Sequence, residues 1–261
     1  MEINKIYNES CLDTMSRMDD GFIDLTVTSP PYDNLRKYKG SLDWGNHIWM
    51  PVIKELFRIT KNGGTVVWVV GDSSIKGSET GTSFKQALWA MECNFNLHDT
   101  MIFQKSSPPI IPTVKRYQPN FEYMFIFVKH KIKTFNAIRV PKLYKDNRTK
   151  KEWHRKPDGE FVISKRKPTK DKIKENVWPY AVGGGNMTKD KVNHPAMFPE
   201  QLAHDHIISW SNEGDLVYDP FFGSGTTGKM AKLNGRNWVG SEIAKEYCEI
   251  ANERIERIER V

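Results

Sequence analysis

Asp215-Leu216-Val217-Tyr218-Asp219-Pro220-Phe221-Phe222-Gly223-Ser224-Gly225-Thr226-Thr227-Gly228 is the stretch that decides the fold. Asp215 to Pro220 reads as a strand, the glycines as a turn, and the residues on to Leu233 as a helix. Glycine lacks a Cβ and tolerates positive φ, so such a turn lets the backbone come close to a ligand. Past a turn at Asn234-Gly235, Trp238-Val239-Gly240-Ser241-Glu242 is a second strand with an acidic residue at its end. Three ligands fit this pattern. As Gly-x-Gly-x-x-Gly with Glu242 following, it suits a dinucleotide. As Gly-x-x-x-x-Gly-Lys through Lys229 it approaches a triphosphate loop, but Met230 stands where a magnesium-binding Ser or Thr belongs. As a loop for S-adenosylmethionine, the glycines give close approach and Glu242 accepts from the ribose hydroxyls. The turn alone leaves these open, together with a purely structural turn that holds no ligand.

Upstream, strands and helices alternate. Asn4 to Asn8 reads as a short strand and Cys11 to Met18 as a helix with Leu12, Met15 and Met18 at helical spacing. Phe22 to Val27 is a strand, and His47 to Ile59 a helix stopping at Lys61-Asn62-Gly63-Gly64. Thr65-Val66-Val67-Trp68-Val69-Val70 is a continuous apolar run, as expected for a strand buried on both faces of a parallel sheet. A helix over Ser83–Cys93, strands over Leu97–Phe103 and Phe121–Val128, and helices over Gln201–Trp210 and Ala244–Ile258 complete the pattern. Together they predict an α/β fold with a doubly wound, mostly parallel sheet. The repeat Glu253-Arg254-Ile255-Glu256-Arg257-Ile258 reads as a solvated helix face. His204-Asp205-His206 does not suggest a metal, because residues two apart on a helix face different ways.

The Phe22 strand runs into Thr28-Ser29-Pro30-Pro31-Tyr32. Two prolines fix an extended corner and stop strand pairing. What remains is a row of acceptors, the Ser29 hydroxyl and backbone carbonyls, beside the Tyr32 ring. Such a set suits a planar base carrying an exocyclic NH2, and equally a plain strand end followed by a proline turn with a half-buried Tyr. Ser107-Pro108-Pro109 has no aromatic partner and reads as an ordinary proline turn.

The chain has 261 residues, enough for one large domain or one domain with an insertion. No stretch approaches the roughly 18 apolar residues of a membrane span, and Met1-Glu2-Ile3-Asn4-Lys5 is too polar for a signal peptide. Three scattered cysteines, Cys11, Cys93 and Cys248, predict reduced thiols in a cytoplasmic protein and no zinc site. The net charge of +7 is uneven: Lys129 to Lys174 holds 17 Lys or Arg against 5 Asp or Glu. Phe135, Tyr144, Trp153 and Phe161 lie among them. This is either a solvated loop or a nucleic-acid surface that neutralises phosphates and places a few side chains at base edges. Asn176-Val177-Trp178-Pro179-Tyr180 and Gly183-Gly184-Gly185 close the insertion.

Taken together, the chain resembles the DNA methyltransferases that modify an exocyclic nitrogen. Thr28-Ser29-Pro30-Pro31-Tyr32 is similar to their catalytic motif. Asp219 to Thr227 is similar to their cofactor motif, and His194-Pro195-Ala196-Met197-Phe198-Pro199-Glu200 to the segment just before it. The order, catalytic block, basic insertion, cofactor block, resembles the permuted β class. The resemblance implies a Rossmann-like methyltransferase fold with a catalytic half over 1–128, a target-recognition insertion over 129–190 and a cofactor-binding half over 191–261. It implies catalysis by Ser29, Pro30, Pro31 and Tyr32 on a base flipped out of double-stranded DNA. S-adenosyl-L-methionine would be held by Ser10, Cys11, Thr28, His194, Pro195, Phe198, Asp219, Phe221, Gly223, Gly225, Thr226, Thr227 and Glu242. DNA would be held by Lys142, Lys145, Arg148, Lys150, Lys151, Arg155, Lys165, Arg166 and Lys167. No metal is implied. A cognate restriction endonuclease and a homodimer are left open. Glu9-Ser10-Cys11 departs from the Gly-Asp-Cys common in the family, so the adenine contact that an Asp makes there falls to Ser10, which offers one hydrogen bond and no charge. Ser at the first catalytic position resembles the cytosine-N4 enzymes, with adenine N6 the alternative. Methylation at cytosine C5 needs a thiolate from a Pro-Cys pair, and the cysteines here follow Ser10, Glu92 and Tyr247. A nicotinamide oxidoreductase is a distant alternative that explains only the glycine turn.

Overall fold

In the computed structural model, the chain first lays down β1 (Lys5–Tyr7), α1 (Cys11–Ser16), β2 (Ile23–Thr28), α2 (Asn46–Ile59) and β3 (Thr60–Val70). A minor hairpin, β4 (Ser74–Ile75) and β5 (Ser78–Glu79), precedes α3 (Thr82–Glu92), β6 (Phe95–Lys105) and β7 (Phe121–Lys129). Four short strands follow, β8 (Arg139–Pro141), β9 (Lys150–Arg155), β10 (Phe161–Arg166) and β11 (Asp171–Ile173). The last stretch holds β12 (Val177–Tyr180), α4 (Glu200–Trp210), β13 (Leu216–Asp219), α5 (Thr226–Leu233), β14 (Asn237–Ser241) and α6 (Lys245–Glu256). The structure describes residues 1–31, 44–106, 115–142, 150–166, 169–181 and 199–258, with backbone alone at 150–152 and 164–166.

The main sheet has the order β1-β14-β13-β2-β3-β7-β6-β12. The five strands from β1 to β3 are parallel neighbours. β7 runs antiparallel between β3 and β6, and β12 is parallel to β6. The expected doubly wound, mostly parallel sheet is therefore present. From β2 the chain passes through α2 to β3 on one side. From β13 it passes through α5 to β14 on the other. The order reverses between β2 and β13, and in open α/β sheets a crevice opens at the carboxyl ends of strands at such a point.

Right-handed crossovers put the helices of the two halves on opposite faces. Against one face, Met15 of α1, Trp49, Val52 and Leu56 of α2 and Ala90 of α3 pack on Ile23, Trp68, Phe127 and Tyr218. On the other side α4 packs on α5 and β2, and α5 on α6. Val66 to Val70 are buried throughout, as a strand covered on both faces requires.

Three local readings are corrected. The strand expected from Thr65 begins at Thr60, directly after α2. Its pairing with β2 jumps from Ile23↔Thr60 to Leu25↔Thr65, so Lys61–Gly64 is a bulge rather than a helix stop. A Cβ on Gly64 would meet the Asp24 carbonyl at 2.8 Å, so only glycine allows that close approach. The segment read as closing the insertion supplies β12 of the main sheet, with Pro179 admissible because β12 is an edge strand. The repeat read as solvated is half sunk: Arg254 and Ile255 are buried while Glu253, Glu256 and Arg257 are exposed.

The described residues divide into two compact units, Met1–Asn136 with Asn176–Val261, and Ala137–Glu175. The smaller unit is two antiparallel ribbons. β8 pairs with β11, closed by an Arg139–Asp171 ion pair at 2.7 Å. β9 pairs with β10 from Phe161↔Arg155 to Arg166↔Lys150. Its turn holds Gly159 at φ 90°, with the Lys156 amide donating to the Glu160 carbonyl. No helix among the described residues is long and apolar enough to cross a membrane.

Candidate active site

The two halves of the main unit meet through one buried carboxylate. Thr28 Oγ1, at the end of β2, donates to Asp219 Oδ1 at the end of β13, 2.7 Å away. Thr227 Oγ1 donates to Asp219 Oδ2 at 2.7 Å and lies 3.2 Å from the Val27 carbonyl. The Phe221 amide donates to Asp219 Oδ1 at 3.0 Å, the short loop expected where Asp precedes Pro at a strand end. Burial pushes the Asp219 carboxyl up to about 6, against the pull of these three hydrogen bonds. Ser29 begins one residue past this link, and Gly223 lies four residues past it. The two motifs, distant in sequence, therefore open at the same end of neighbouring strands. Ser29 and Pro31 are half-buried and Pro30 is buried; Tyr32 lies outside the described residues.

The glycine turn is held from below. Gly223 and Gly225 sit at φ 51° and 80°, where side chains are strained. The Gly223 amide donates to Glu242 Oε2 and the Ala244 amide to Glu242 Oε1, both at 2.8 Å. The Phe222 amide donates to the Ser241 carbonyl at 2.9 Å. Burial raises the Glu242 carboxyl above the usual carboxylate range. Gly225, Gly228 and Gly240 also make room for the protein itself. A Cβ on Gly240 would lie 2.2 Å from the Phe222 ring and one on Gly228 2.4 Å from it, while one on Gly225 would lie 2.7 Å from Ala251 Cβ. Phe222 thus threads between α5 and β14 and stacks on Trp238 with centroids 5.4 Å apart. Phe221 turns the other way, edge-on to Trp44 and Trp68.

β1 brings Ser10 and Cys11 to this end of the sheet. The Glu242 amide donates to the Tyr7 carbonyl, and Asn8 Nδ2 donates to the Glu242 and Ile243 carbonyls. Ser10 caps α1, its hydroxyl accepting from the Leu12 amide at 3.3 Å. Glu9, the nearest acid, is turned onto Thr14 and Arg17. Burial pushes the Cys11 thiol up to about 12 and the Cys248 thiol up to about 11.

Sequence reasoning missed the supports. Arg254, buried in α6, donates to the Ser224 carbonyl and hydroxyl and to Glu200 of α4, which also accepts from Lys229. Its signal was a helical one: Ala251, Arg254 and Ile255 share a face of α6, but the charges around them masked it. Lys229, the residue of the triphosphate template, is thereby bonded to Glu200. His194, Pro195 and Phe198 lie outside the described residues, as do Lys145, Arg148, Lys167 and Ser107-Pro108-Pro109. Lys150, Lys151, Lys165 and Arg166 are placed by backbone in β9 and β10, and Lys165 lies opposite Lys151. In the same unit Arg155 is exposed and Lys142 donates to Thr169.

A glycine turn, an acidic strand end and a switch-point crevice define an α/β enzyme for a nucleoside-type cofactor. The family model described as DNA methylase (N6_N4_Mtase) matches residues 23–253, and the chain belongs to that N6/N4 DNA methylase family. Orphan methyltransferase M.BamHII of Bacillus amyloliquefaciens is 54% identical over 245 residues, 90% of this chain and 89% of that protein. The fold is shared with PvuII DNA methyltransferase (cytosine-N4-specific), at TM-score 0.70 and 19% identity over 98% of this chain and 88% of that one. It is also shared with TTHA0409 of Thermus thermophilus complexed with S-adenosyl-L-methionine, at TM-score 0.63 and 21% identity over 97% and 94% of the two chains. The chain is a DNA methyltransferase that uses S-adenosylmethionine. Its residues fit that cofactor. Glu242 accepts from the Gly223, Ala244 and Ile243 amides, which leaves about one of a carboxylate's four lone-pair sites for a hydroxyl.

Proposed function

We propose that this enzyme methylates the exocyclic N4 of a cytosine flipped out of double-stranded DNA. The observation that carries this is Ser29, a neutral hydroxyl rather than a carboxylate or amide, one residue beyond the Thr28–Asp219 link. When bound, S-adenosylmethionine supplies an electrophilic methyl group. Gly223, Gly225 and Glu242 would hold it, with Phe221 as an apolar wall. Ser10, Cys11, Thr28, Asp219, Thr226 and Thr227 fix the strand ends and the turn around it. The His194-Pro195 and Phe198 block belongs to the same site in this reading.

The target amine is a poor nucleophile because its lone pair is delocalised into the ring. Acceptors placed at the NH2 hydrogens favour the pyramidal nitrogen that can attack. The Ser29 hydroxyl and the Pro30 carbonyl are those acceptors, and the Tyr32 ring stacks on the base. Both act by positioning and electrostatics. A thiolate route is disfavoured, since burial raises the Cys11 and Cys248 thiols well above neutrality.

Residues 129–190 serve as the target-recognition insertion between a catalytic half, 1–128, and a cofactor half, 191–261, with β12 returning the chain to the main sheet. The support is charge and shape. The unit Ala137–Glu175 carries 14 Lys or Arg against 6 Asp or Glu. A two-stranded ribbon such as β9–β10 fits the major groove. Trp153 and Phe161 stand exposed on it. Lys142, Lys145, Arg148, Lys150, Lys151, Arg155, Lys165, Arg166 and Lys167 neutralise phosphates in this reading.

The test is the product. Unmethylated DNA is treated with the purified protein and S-adenosylmethionine, digested, and its nucleosides identified by mass. N4-methylcytosine is expected. N6-methyladenine as the sole product would overturn the choice of base and leave the family intact.

A further inference from the structure

Arg254 is 3% exposed, which is rare for an arginine outside a compensating network. Its network is the cofactor turn. Nη1 donates to the Ser224 carbonyl, to Ser224 Oγ at 3.0 Å and to Thr226 Oγ1 at 3.4 Å. Nη2 donates to Glu200 Oε1 at 2.8 Å, an oxygen that Lys229 Nζ approaches equally closely. The same face of α6 presses on the turn at two further points. A Cβ on Gly225 would meet Ala251 Cα at 3.2 Å, and one on Gly228 would meet Ile255 Cδ1 at 3.1 Å.

The turn is thus gripped at two successive residues. Glu242 holds the Gly223 amide, and Arg254 holds the carbonyl of the very next residue. The φ values of 51° and 80° at Gly223 and Gly225 bracket the Ser224 peptide that Arg254 fixes. Glycines at those angles would sample many conformations without such a grip, since glycine loses the most freedom on ordering. The grip also reaches α4, because Glu200 stands in its first turn.

We propose that Arg254 is a positioning residue for S-adenosylmethionine: it pre-forms the Gly223–Thr226 turn from behind, without touching the cofactor. The proposal rests on this turn being the cofactor site and holds whichever base is methylated. A preformed turn lowers the ordering cost of binding, so the effect falls on cofactor affinity rather than on the methyl-transfer step.

The test compares the wild-type chain with Arg254→Met and Arg254→Lys. S-adenosylhomocysteine affinity is measured by calorimetry, amide exchange is followed in the ligand-free protein, and KM for each substrate is separated from kcat. Arg254→Met should weaken S-adenosylhomocysteine about tenfold or more. Arg254→Lys keeps the charge and can still donate to one of these acceptors, and should restore part of that loss. Exchange should quicken at residues 222–226, KM for S-adenosylmethionine should rise, and KM for DNA and kcat at saturation should stay near wild type. Should Arg254→Met not fold, the Arg254→Lys exchange and affinity data decide. Unchanged affinity in Arg254→Lys with unchanged exchange at the turn would overturn the proposal. So would a uniform quickening across α6 and β14 with both KM values rising together. Failure of the wild-type chain to bind S-adenosylhomocysteine would instead sink the cofactor site itself.

Discussion

Replacing Gly240 by alanine tests the packing that sets the Gly223–Thr226 turn. The new Cβ would lie 2.2, 2.4 and 2.6 Å from three atoms of the Phe222 ring, where ordinary contact begins at 3.4 Å. The ring must therefore retreat by about 1.2 Å. It has nowhere simple to go. Gly228 closes on its far edge, where a built Cβ would be 2.4 Å from Cζ, and Trp238 stacks on it at 15°. Gly240 is not at positive φ, so the backbone adopts alanine without strain and the clash is the whole effect. Overpacking of this kind costs about 3 kcal/mol, a large share of the roughly 5–15 kcal/mol that holds a domain together. Phe222→Ala alone should cost roughly 3–5 kcal/mol by leaving a cavity. In the double variant the methyl occupies part of that cavity. The two changes should then fall short of additivity by about 3 kcal/mol. Urea denaturation followed by tryptophan fluorescence measures each term. Additive losses, or a Gly240→Ala variant as stable as the wild type, would refute the packing argument.

Asp219→Asn should keep the fold: Oδ1 still accepts from Thr28 and the Phe221 amide, and the new amide donates to Thr227 Oγ1, freeing its hydrogen for the Val27 carbonyl. The wild-type carboxyl titrates near 6 when folded against 3.8 when unfolded, so wild-type stability should fall relative to Asp219→Asn by about 3 kcal/mol as pH rises through that window. Urea midpoints at pH 4 and pH 7 measure this, and a pH-independent difference would contradict the raised carboxyl. Arg155→Ala should weaken DNA binding at low salt and reduce the slope of log K against log salt by about one, as loss of one phosphate contact does. An unchanged slope would remove Arg155 from the DNA surface.

Much of this was legible in residue order. The apolar run Val66–Val70 is buried on both faces, and the proline corner ends β2 at Thr28 as two prolines demand. Both follow from local rules. What stayed hidden depended on distant partners. Gly63 and Gly64 read as a helix stop, but they form a bulge: Gly63 sits at φ 84° against Lys133, and Gly64 lies against the Asp24 carbonyl of another strand. Gly225 and Gly228 read as making space for a ligand, yet the nearest atoms to their missing side chains belong to Ala251, Phe222 and Ile255. Arg254 sits in a charged repeat whose average looks solvated, and only its tertiary neighbours bury it. The β9–β10 ribbon escaped notice because Lys150-Lys151-Glu152-Trp153-His154-Arg155 shows charge where a strand usually shows alternation.

The central claim is that the Ser29 corner carries out transfer while the neighbouring glycine turn holds the donor. Single-turnover methyl transfer by Ser29→Ala, with S-adenosylhomocysteine affinity measured on the same preparation, tests it most directly. Transfer should fall by about 10²-fold or more while that affinity stays within about threefold of wild type. Transfer at the wild-type rate, or loss of cofactor affinity in step with transfer, would contradict it.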